Sequence, residues 1–130
     1  MEEQAFPSDQ YAVESQAKFH GFDPEEAVIE VKARPGEDYI RTEDIEATIK
    51  EHGDSTALVF FSGVNYYTGQ FFELERITKC AHEVGAIAGF DLAHAAGNVV
   101  LKLHEWNVDF AAWCSYKYLN SGPGGPSGVF

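Results

Sequence analysis

One lysine in this sequence lies where a lysine side chain could act as a nucleophile. Lys117 stands between Tyr116 and Tyr118, after an apolar run that ends at Trp113 and before a glycine-rich turn. A lysine at the end of a buried strand loses hydration, which favours the neutral and reactive form of its amine. The alternative is that Lys117 extends its charged end into solvent, as lysines at strand ends commonly do. The residue type and its position therefore predict that Lys117 is a candidate amine nucleophile. A lysine that only extends into solvent stays the alternative.

Polar residues also follow two other apolar runs. Ser62 follows the run at 56–61, and Asp91 follows the run at 86–90, with His94 three residues further on. Ligands of open α/β sheets bind beyond the carboxyl ends of the strands. If the three apolar runs are parallel strands, these side chains and the lysine face the same edge of one sheet.

The order of apolar runs and helical patterns predicts the elements that position these side chains. The predicted helices run from a cap at Ser8 or Asp9 to Phe19, from Thr42 to a stop at Gly53 and from Glu73 to Val84. The predicted strands are Ala27–Ala33, Thr56–Phe61, Ala86–Phe90 and Val108–Trp113. The first strand mixes apolar and charged residues and is expected near a sheet edge. The other three are continuous apolar runs, which predicts strands covered on both faces. Alternation of strands and helices indicates an α/β fold with a mostly parallel sheet and flanking helices.

Composition limits the classes of partner. The chain of 130 residues suits one domain, and 21 acidic residues against 9 basic residues give a net charge of −12. This charge argues against nucleic acids and anionic membranes as partners. No apolar run approaches the roughly 20 residues of a membrane span, and the acidic N-terminal residues carry no apolar signal core.

The two cysteines indicate a reducing compartment. Cys80 and Cys114 have no paired spacing, which argues against a disulfide scaffold and favours a cytoplasmic location. Cys80 and His82 have no further residues with the spacing of a zinc site, so no metal is expected.

An aspartate and a lysine at neighbouring strand ends suggest one cofactor. Pyridoxal phosphate needs a lysine amine to form an imine with its aldehyde, and a carboxylate opposite its ring nitrogen. That carboxylate keeps the nitrogen protonated, because a nearby opposite charge favours the charged form. Lys117 and Asp91 are the candidates for these two functions.

Four segments resemble kynureninases, which are pyridoxal-phosphate enzymes of the aspartate aminotransferase fold. The segments are AFPSD (5–9), FSGVNYYTGQ (61–70), GFDLAHAAGNV (89–99) and DFAAWCSYKYLNSGPGG (109–125), in the family's order. The resemblance covers nearly the whole chain, and its SYKYLN context is specific. It implies that residues 1–130 are part of the cofactor-binding large domain, without the small C-terminal domain. The abrupt character of both ends of the sequence agrees with this expectation.

The resemblance also implies roles for individual residues. Lys117 would form the imine and later move the substrate α-proton, Asp91 would pair with the ring nitrogen, and His94 would lie beside the cofactor. Tyr116 would bind the cofactor phosphate and is a candidate proton donor to the substrate β-carbon. The remaining cofactor contacts implied are Phe6, which would stack on the ring, with Pro7, Ser8 and Asp9 beside it, and Ser62.

Each of these residues also has an ordinary structural interpretation. Asp91 could cap the turn that follows it. Phe6 could be a core aromatic, Ser62 a turn former and His94 a histidine with ordinary hydrogen bonds. Tyr116 could be a packing residue whose hydroxyl reaches solvent.

The reaction implied by the resemblance is hydrolysis of the Cβ–Cγ bond of L-kynurenine or 3-hydroxykynurenine. Its products are L-alanine and anthranilate or 3-hydroxyanthranilate, in tryptophan catabolism and NAD biosynthesis. Family members are several times longer and form their sites in homodimers, so this fragment alone is expected to be inactive. The alternatives are a non-catalytic truncated product and another enzyme of the same fold, such as a cysteine desulfurase.

Overall fold

Four strands in chain order form the sheet at the centre of the computed structural model, which describes all 130 residues. They are β1 (Leu58–Ser62), β2 (Ile87–Asp91), β3 (Phe110–Trp113) and β4 (Gly128–Val129). β1, β2 and β3 are parallel, and β4 pairs antiparallel with β3. The predicted α/β class with a mostly parallel sheet is therefore confirmed.

Four helices and one short 3-10 turn accompany the sheet. They are α1 (Pro7–Phe19), α2 (Pro24–Ala27), α3 (Thr42–Glu51), the 3-10 turn Gly53–Ser55, and α4 (Leu74–Glu83). The predictions for α3 and α4 are confirmed to within two residues. The first turn of α3 contains Glu43 and Asp44, whose charges suit a helix N-terminus, and the helix buries Ile45 and Ile49 four residues apart.

The core lies on one face of the sheet. α4 packs directly on β1 and β2, and α3 packs against α4. Phe61 and Phe90 from the strands meet Ile45 and Ile77 from the helices, and each of these side chains is at most 1% exposed. Burying an aliphatic or aromatic side chain of this size contributes about 1.5–3 kcal/mol, so this face anchors the strands that carry the candidate site.

The other face of the sheet is largely uncovered, which corrects the prediction that the strands are covered on both faces. Leu58, Ile87 and Phe110 are 41%, 47% and 37% exposed. The rings of Phe60 and Phe110 stack on this face at 6.0 Å between centroids. An apolar run shows that both faces of a strand are hydrophobic and does not show that this chain supplies a layer for each.

The predicted strand Ala27–Ala33 is wrong. Its first residue ends α2, and the segment makes only one parallel bridge, between Val31 and Glu2. The backbone of Val31 exchanges hydrogen bonds with Met1 and Glu3, and the Met1 amine donates to the Ile29 carbonyl at 2.9 Å. The apolar pattern of the segment therefore reflects the burial of Val31, not a strand of the central sheet.

The predicted cap of the first helix, Ser8 or Asp9, is also wrong. Phe6 is the N-cap residue of α1, and no side chain caps the helix. Pro7 occupies the first turn, where its missing N–H is not needed and its fixed φ suits the helix. Ser8 and Asp9 therefore lie inside the first turn, which leaves the Asp9 side chain available for contacts across the rim of the sheet.

Candidate active site

The carboxyl ends of β1 and β2 place two predicted site residues side by side. Ser62 is the register partner of Asp91, and the N–H of Gly63 donates to the carbonyl oxygen of Asp91 at 2.7 Å. Side chains alternate along a strand, and the neighbouring Phe61 and Phe90 point into the core. Ser62 and Asp91 therefore present their side chains on the face of the sheet opposite the core, where the N-terminal segment buries Ser62.

The Asp91 carboxylate is held by the turn that follows β2. Its Oδ1 accepts the N–H of Ala93 at 2.8 Å, while the N–H of Leu92 donates to the carbonyl of Ala112 on β3 at 2.8 Å. The ordinary capping role of Asp91 is thus observed. It occupies Oδ1 and leaves Oδ2 available to a second partner.

The first turn of α1 brings a second carboxyl to Asp91. The pKa of Asp9 is raised to about 7, first by burial and then by the charge of the nearby Asp91 carboxylate and a side-chain hydrogen bond with it. The positive charge of Lys117 acts on the pKa of Asp9 in the opposite direction. Residues from α1, β2 and the segment after β3 therefore form one charged cluster.

Lys117 lies over the rings at the edge of this cluster. Its Nζ is 6.0 Å from the centroid of Phe6 and 5.5 Å from the centroid of Tyr116. At these distances the amine lies over the aromatic faces, where a cation is stabilised by about 0.5–1 kcal/mol when exposed. Lys117 is only partly exposed, so it does not simply extend into solvent.

A tight loop after β3 fixes the position of Lys117. The N–H of Asn120 donates to the Lys117 carbonyl at 3.2 Å, and the N–H of Ser121 donates to the Ser115 carbonyl at 3.1 Å. The Ser115 hydroxyl also donates to the Pro126 carbonyl. Asn120 has a positive φ of 58°, a conformation that asparagine tolerates better than most residues. The SYKYLN segment therefore turns back on itself and holds the lysine near the rim.

His94 completes the polar part of the cluster. Burial lowers its pKa, and the charge of Lys117 lowers it further, with Asp91 acting in the opposite direction. Its ring makes an edge contact with Tyr118 at 6.1 Å between centroids. The neutral imidazole is therefore favoured near neutral pH, which suits a group that lies against a flat ring.

The other predicted residues lie around this cluster. Phe6 is 45% exposed and meets Tyr66 edge to face at 5.3 Å, so it is not a core aromatic. Tyr116 is 54% exposed. Pro7 and Ser8 are exposed at the start of α1. The exposed Phe6 ring could meet the face of a pyridine ring, and the Asp91 carboxylate could meet its nitrogen in exchange for the hydrogen bond with Asp9, so these residues fit pyridoxal phosphate.

Sequence reasoning missed one buried acid at the rim. Glu2 is 1% exposed and accepts hydrogen bonds from Ser62. The residue lies in an acidic N-terminal segment, and no sequence pattern distinguishes it from Glu3. Only the bridge between Glu2 and Val31 brings it to the end of β1.

The metal-ligating side chains and surface clefts elsewhere in the structure do not form a second candidate site. No group of three or more His, Cys, Asp or Glu side chains has the geometry to hold a metal ion. Two surface clefts lie around Ile40 and Gln70, away from Lys117 and Asp91. None of the helices has the length and apolar character that crossing a membrane requires.

The architecture is that of aminotransferase-type α/β enzymes. An alanine–glyoxylate aminotransferase from Nostoc sp. superposes with a TM-score of 0.71 at 25% identity over 92% of this chain and 29% of its own. A cysteine desulfurase from Thermococcus onnurineus gives a TM-score of 0.69 at 26% identity over 94% of this chain and 27% of its own.

The family follows from the sequence. The family model described as aminotransferase class-V matches residues 25–129. The chain belongs to the class-V aminotransferase family.

Within this family the chain is similar to kynureninases. It is 64% identical to the kynureninase of Nematostella vectensis over all 130 residues, which are 28% of that protein. It is 60% identical to the kynureninase of Dictyostelium discoideum over 97% of the chain and 28% of that protein. The predicted resemblance is confirmed, and the chain spans less than a third of the length of these relatives.

Proposed function

We propose that this chain is the cofactor-binding part of a kynureninase, which hydrolyses L-kynurenine or 3-hydroxykynurenine to L-alanine and anthranilate or 3-hydroxyanthranilate. The observation that carries the proposal is the meeting of Lys117, Asp91 and Phe6 at one rim of the sheet. It occurs in a chain that is 64% identical to a kynureninase over its whole length. Membership of the class-V aminotransferase family supports pyridoxal phosphate as the cofactor.

The cofactor supplies an aldehyde that binds an amine and a protonated ring that withdraws electrons from the substrate α-carbon. Asp91 would hold the ring nitrogen with the oxygen that does not accept the Ala93 N–H, in exchange for its hydrogen bond with Asp9. Phe6 would cover one face of the ring, and His94 would lie beside it. Ser62 is adjacent to Asp91 on the same face of the sheet and would meet the edge of the ring.

Lys117 would hold the cofactor aldehyde through Nζ and would take the proton from the substrate α-carbon. Its Nζ lies over the rings of Phe6 and Tyr116 at the rim of the sheet. Tyr116, with its exposed hydroxyl, would contact the cofactor phosphate and is the candidate donor of a proton to the substrate β-carbon. Pro7, Ser8 and Asp9 would form the wall behind the ring.

Asp9 would tune the charge of the site. Two facing carboxyls repel each other when both are ionised, and this repulsion contributes to the raised pKa of Asp9. A protonated ring nitrogen beside Asp91 would relieve the repulsion. The acidic pair therefore favours a ligand that brings a positive charge to this position.

A cysteine desulfurase is the second enzyme of this fold to consider. The structural likeness to such an enzyme is accompanied by only 26% identity, against 64% for a kynureninase. Side chains around the lysine decide specificity within a fold, and the two tyrosines that flank Lys117 belong to the segment that resembles kynureninases. Kynurenine hydrolysis is therefore the better supported activity.

The complete enzyme would contain more than these residues. We propose that residues 1–130 act within a longer chain that adds the small C-terminal domain and the remaining phosphate and substrate contacts, and that the longer chain is a homodimer. The free cysteines Cys80 and Cys114 support a reducing, cytoplasmic location. In this view the chain alone is inactive.

Replacing the matching segment of the Nematostella vectensis kynureninase with residues 1–130 would test the proposal; we call the product the grafted enzyme. We expect hydrolysis of 3-hydroxykynurenine by the grafted enzyme and none by the 130-residue chain alone. Lys117→Ala in the grafted enzyme should abolish turnover, whereas Lys102→Ala, at an exposed lysine, should leave it unchanged. Full activity of the Lys117→Ala variant would contradict the proposal.

A further inference from the structure

Glu2 is a buried acid that the proposed chemistry does not use. It is 1% exposed, although glutamate is almost never fully buried unless it is paired. The parallel bridge to Val31 fixes its backbone, and the hydrogen bonds on either side of it join Met1 and Glu3 to Val31 at 2.8 and 2.9 Å. The fold therefore holds the side chain in place at the end of β1.

The partner of Glu2 is a residue of the candidate site. Its Oε1 accepts the Ser62 N–H at 3.1 Å and the Ser62 hydroxyl at 2.5 Å. A serine hydroxyl has one proton to donate and two lone pairs that accept. Because its proton is directed to Glu2, the Ser62 oxygen can offer only lone pairs to any other group.

Ser62 lies next to the acid that would hold the ring. It is the register partner of Asp91, and the following N–H, that of Gly63, donates to the Asp91 carbonyl. A fixed Ser62 therefore fixes the neighbouring edge of the site. The charge of Glu2 is also felt by Asp9, whose pKa it helps to raise, so Glu2 belongs to the same cluster.

We propose that Glu2 is a positioning residue of the cofactor site: it holds Ser62 so that the hydroxyl oxygen meets the ligand only as a hydrogen-bond acceptor. The inference rests on the proposed function and adds the chemistry of this contact. A ligand group at Ser62 must donate a hydrogen bond or carry positive charge. A group that only accepts hydrogen bonds, such as a phosphate oxygen, is disfavoured there.

Glu2→Gln in the grafted enzyme is the most direct perturbation. The side chain keeps its size, but it loses its charge and its amide can donate to Ser62, which releases the hydroxyl proton. We expect pyridoxal phosphate to bind about tenfold more weakly, measured by absorbance titration, since a hydrogen bond to a charged group is lost. Glu3→Gln is the matched control, because Glu3 is adjacent but accepts the N–H of Ala33 instead. The Glu3→Gln control should bind pyridoxal phosphate with a dissociation constant within about twofold of that of the unsubstituted protein.

A double-mutant cycle shows whether Glu2 acts through Ser62. In a Ser62→Ala background, Glu2→Gln should change the dissociation constant by less than about twofold, because the hydroxyl that it orients is gone. An undiminished tenfold loss in that background would show that Glu2 acts by another route and would overturn the inference.

Hydrogen exchange gives a readout that needs no cofactor. In the cofactor-free grafted enzyme, Glu2→Gln should accelerate exchange in the peptide that contains Ser62, and Glu3→Gln should not. If the unsubstituted grafted enzyme fails to bind pyridoxal phosphate, the proposed function fails and the inference with it. If the unsubstituted grafted enzyme binds pyridoxal phosphate, and the Glu2→Gln variant has the same affinity and the same exchange rate in the Ser62 peptide, only the inference about Glu2 is wrong.

Discussion

The facing acids Asp9 and Asp91 make the stability of this chain depend on pH. The pKa of Asp9 is raised from 3.8 to about 7, first by burial and then by Asp91. A carboxyl whose pKa is higher in the folded state stabilises the fold at low pH, and this contribution is lost as the pH rises through the folded pKa. Replacement of Asp9 by asparagine, a neutral side chain that can still donate to Asp91, should remove this loss.

The size of the effect follows from the two pKa values. From about pH 5 to about pH 8, a carboxyl with these values costs the folded state at most about 2.5 kcal/mol. Asp9 is partly exposed and coupled to Asp91, so we expect about half of this limit. The stability of Asp9→Asn relative to the unsubstituted chain should therefore rise by about 1 kcal/mol between about pH 5 and about pH 8.

Urea denaturation of both chains across this pH range would measure the difference. Titrating groups that do not interact with Asp9 contribute equally to both curves and cancel in the comparison. Asp54→Asn, at an exposed position, is the control and should give a difference that does not vary with pH. A constant difference for Asp9→Asn, or an advantage that shrinks as the pH rises, would refute the electrostatic reasoning.

Three further substitutions test other parts of the structure. Asp109 accepts the Ala88 N–H and contacts His82 at 2.7 Å, and both lower its pKa. Asp109→Asn should therefore destabilise the chain by about 1 kcal/mol at neutral pH. This loss of stability should disappear as the pH falls through the lowered pKa of Asp109, and urea denaturation would measure it. Thr78 has a buried hydroxyl with no partner, so Thr78→Val should leave stability unchanged or raise it by about 1 kcal/mol in the same assay. Gly97 has a φ of +79°, and a Cβ there would lie 2.9 Å from Leu119, so Gly97→Ala should lower the melting temperature and weaken cofactor binding by the grafted enzyme.

Most of the fold was predictable because its signals are local. The three apolar runs, and the glycines that end helices, place β1, β2, β3, α3 and α4 to within two residues. The error at Ala27–Ala33 has a different origin, because a strand needs a partner and this segment has one only at Val31. The uncovered face at Leu58 and Phe110 was missed for the same reason, since hydrophobicity does not show which layer covers it.

The candidate site was predictable where residues follow strands directly. Ser62 and Asp91 end β1 and β2, and parallel pairing brings them together. The proximity of Asp9 to Asp91 and the burial of Glu2 could not be predicted, because both depend on where the N-terminal segment crosses the rim. The resemblance supplied Asp9 as a candidate, whereas Glu2 emerged only from the structure.

The central claim is that the Lys117 amine and the Asp91 carboxylate bind opposite sides of one pyridoxal phosphate ring. Borohydride reduction of the cofactor-loaded grafted enzyme, followed by peptide mapping, tests it most directly. We predict a pyridoxyl group on Lys117, and a sharp loss of labelling when Asp91→Ala removes the partner of the ring nitrogen. Labelling of another lysine of this chain, or labelling of Lys117 that is unaffected by Asp91→Ala, would contradict the account.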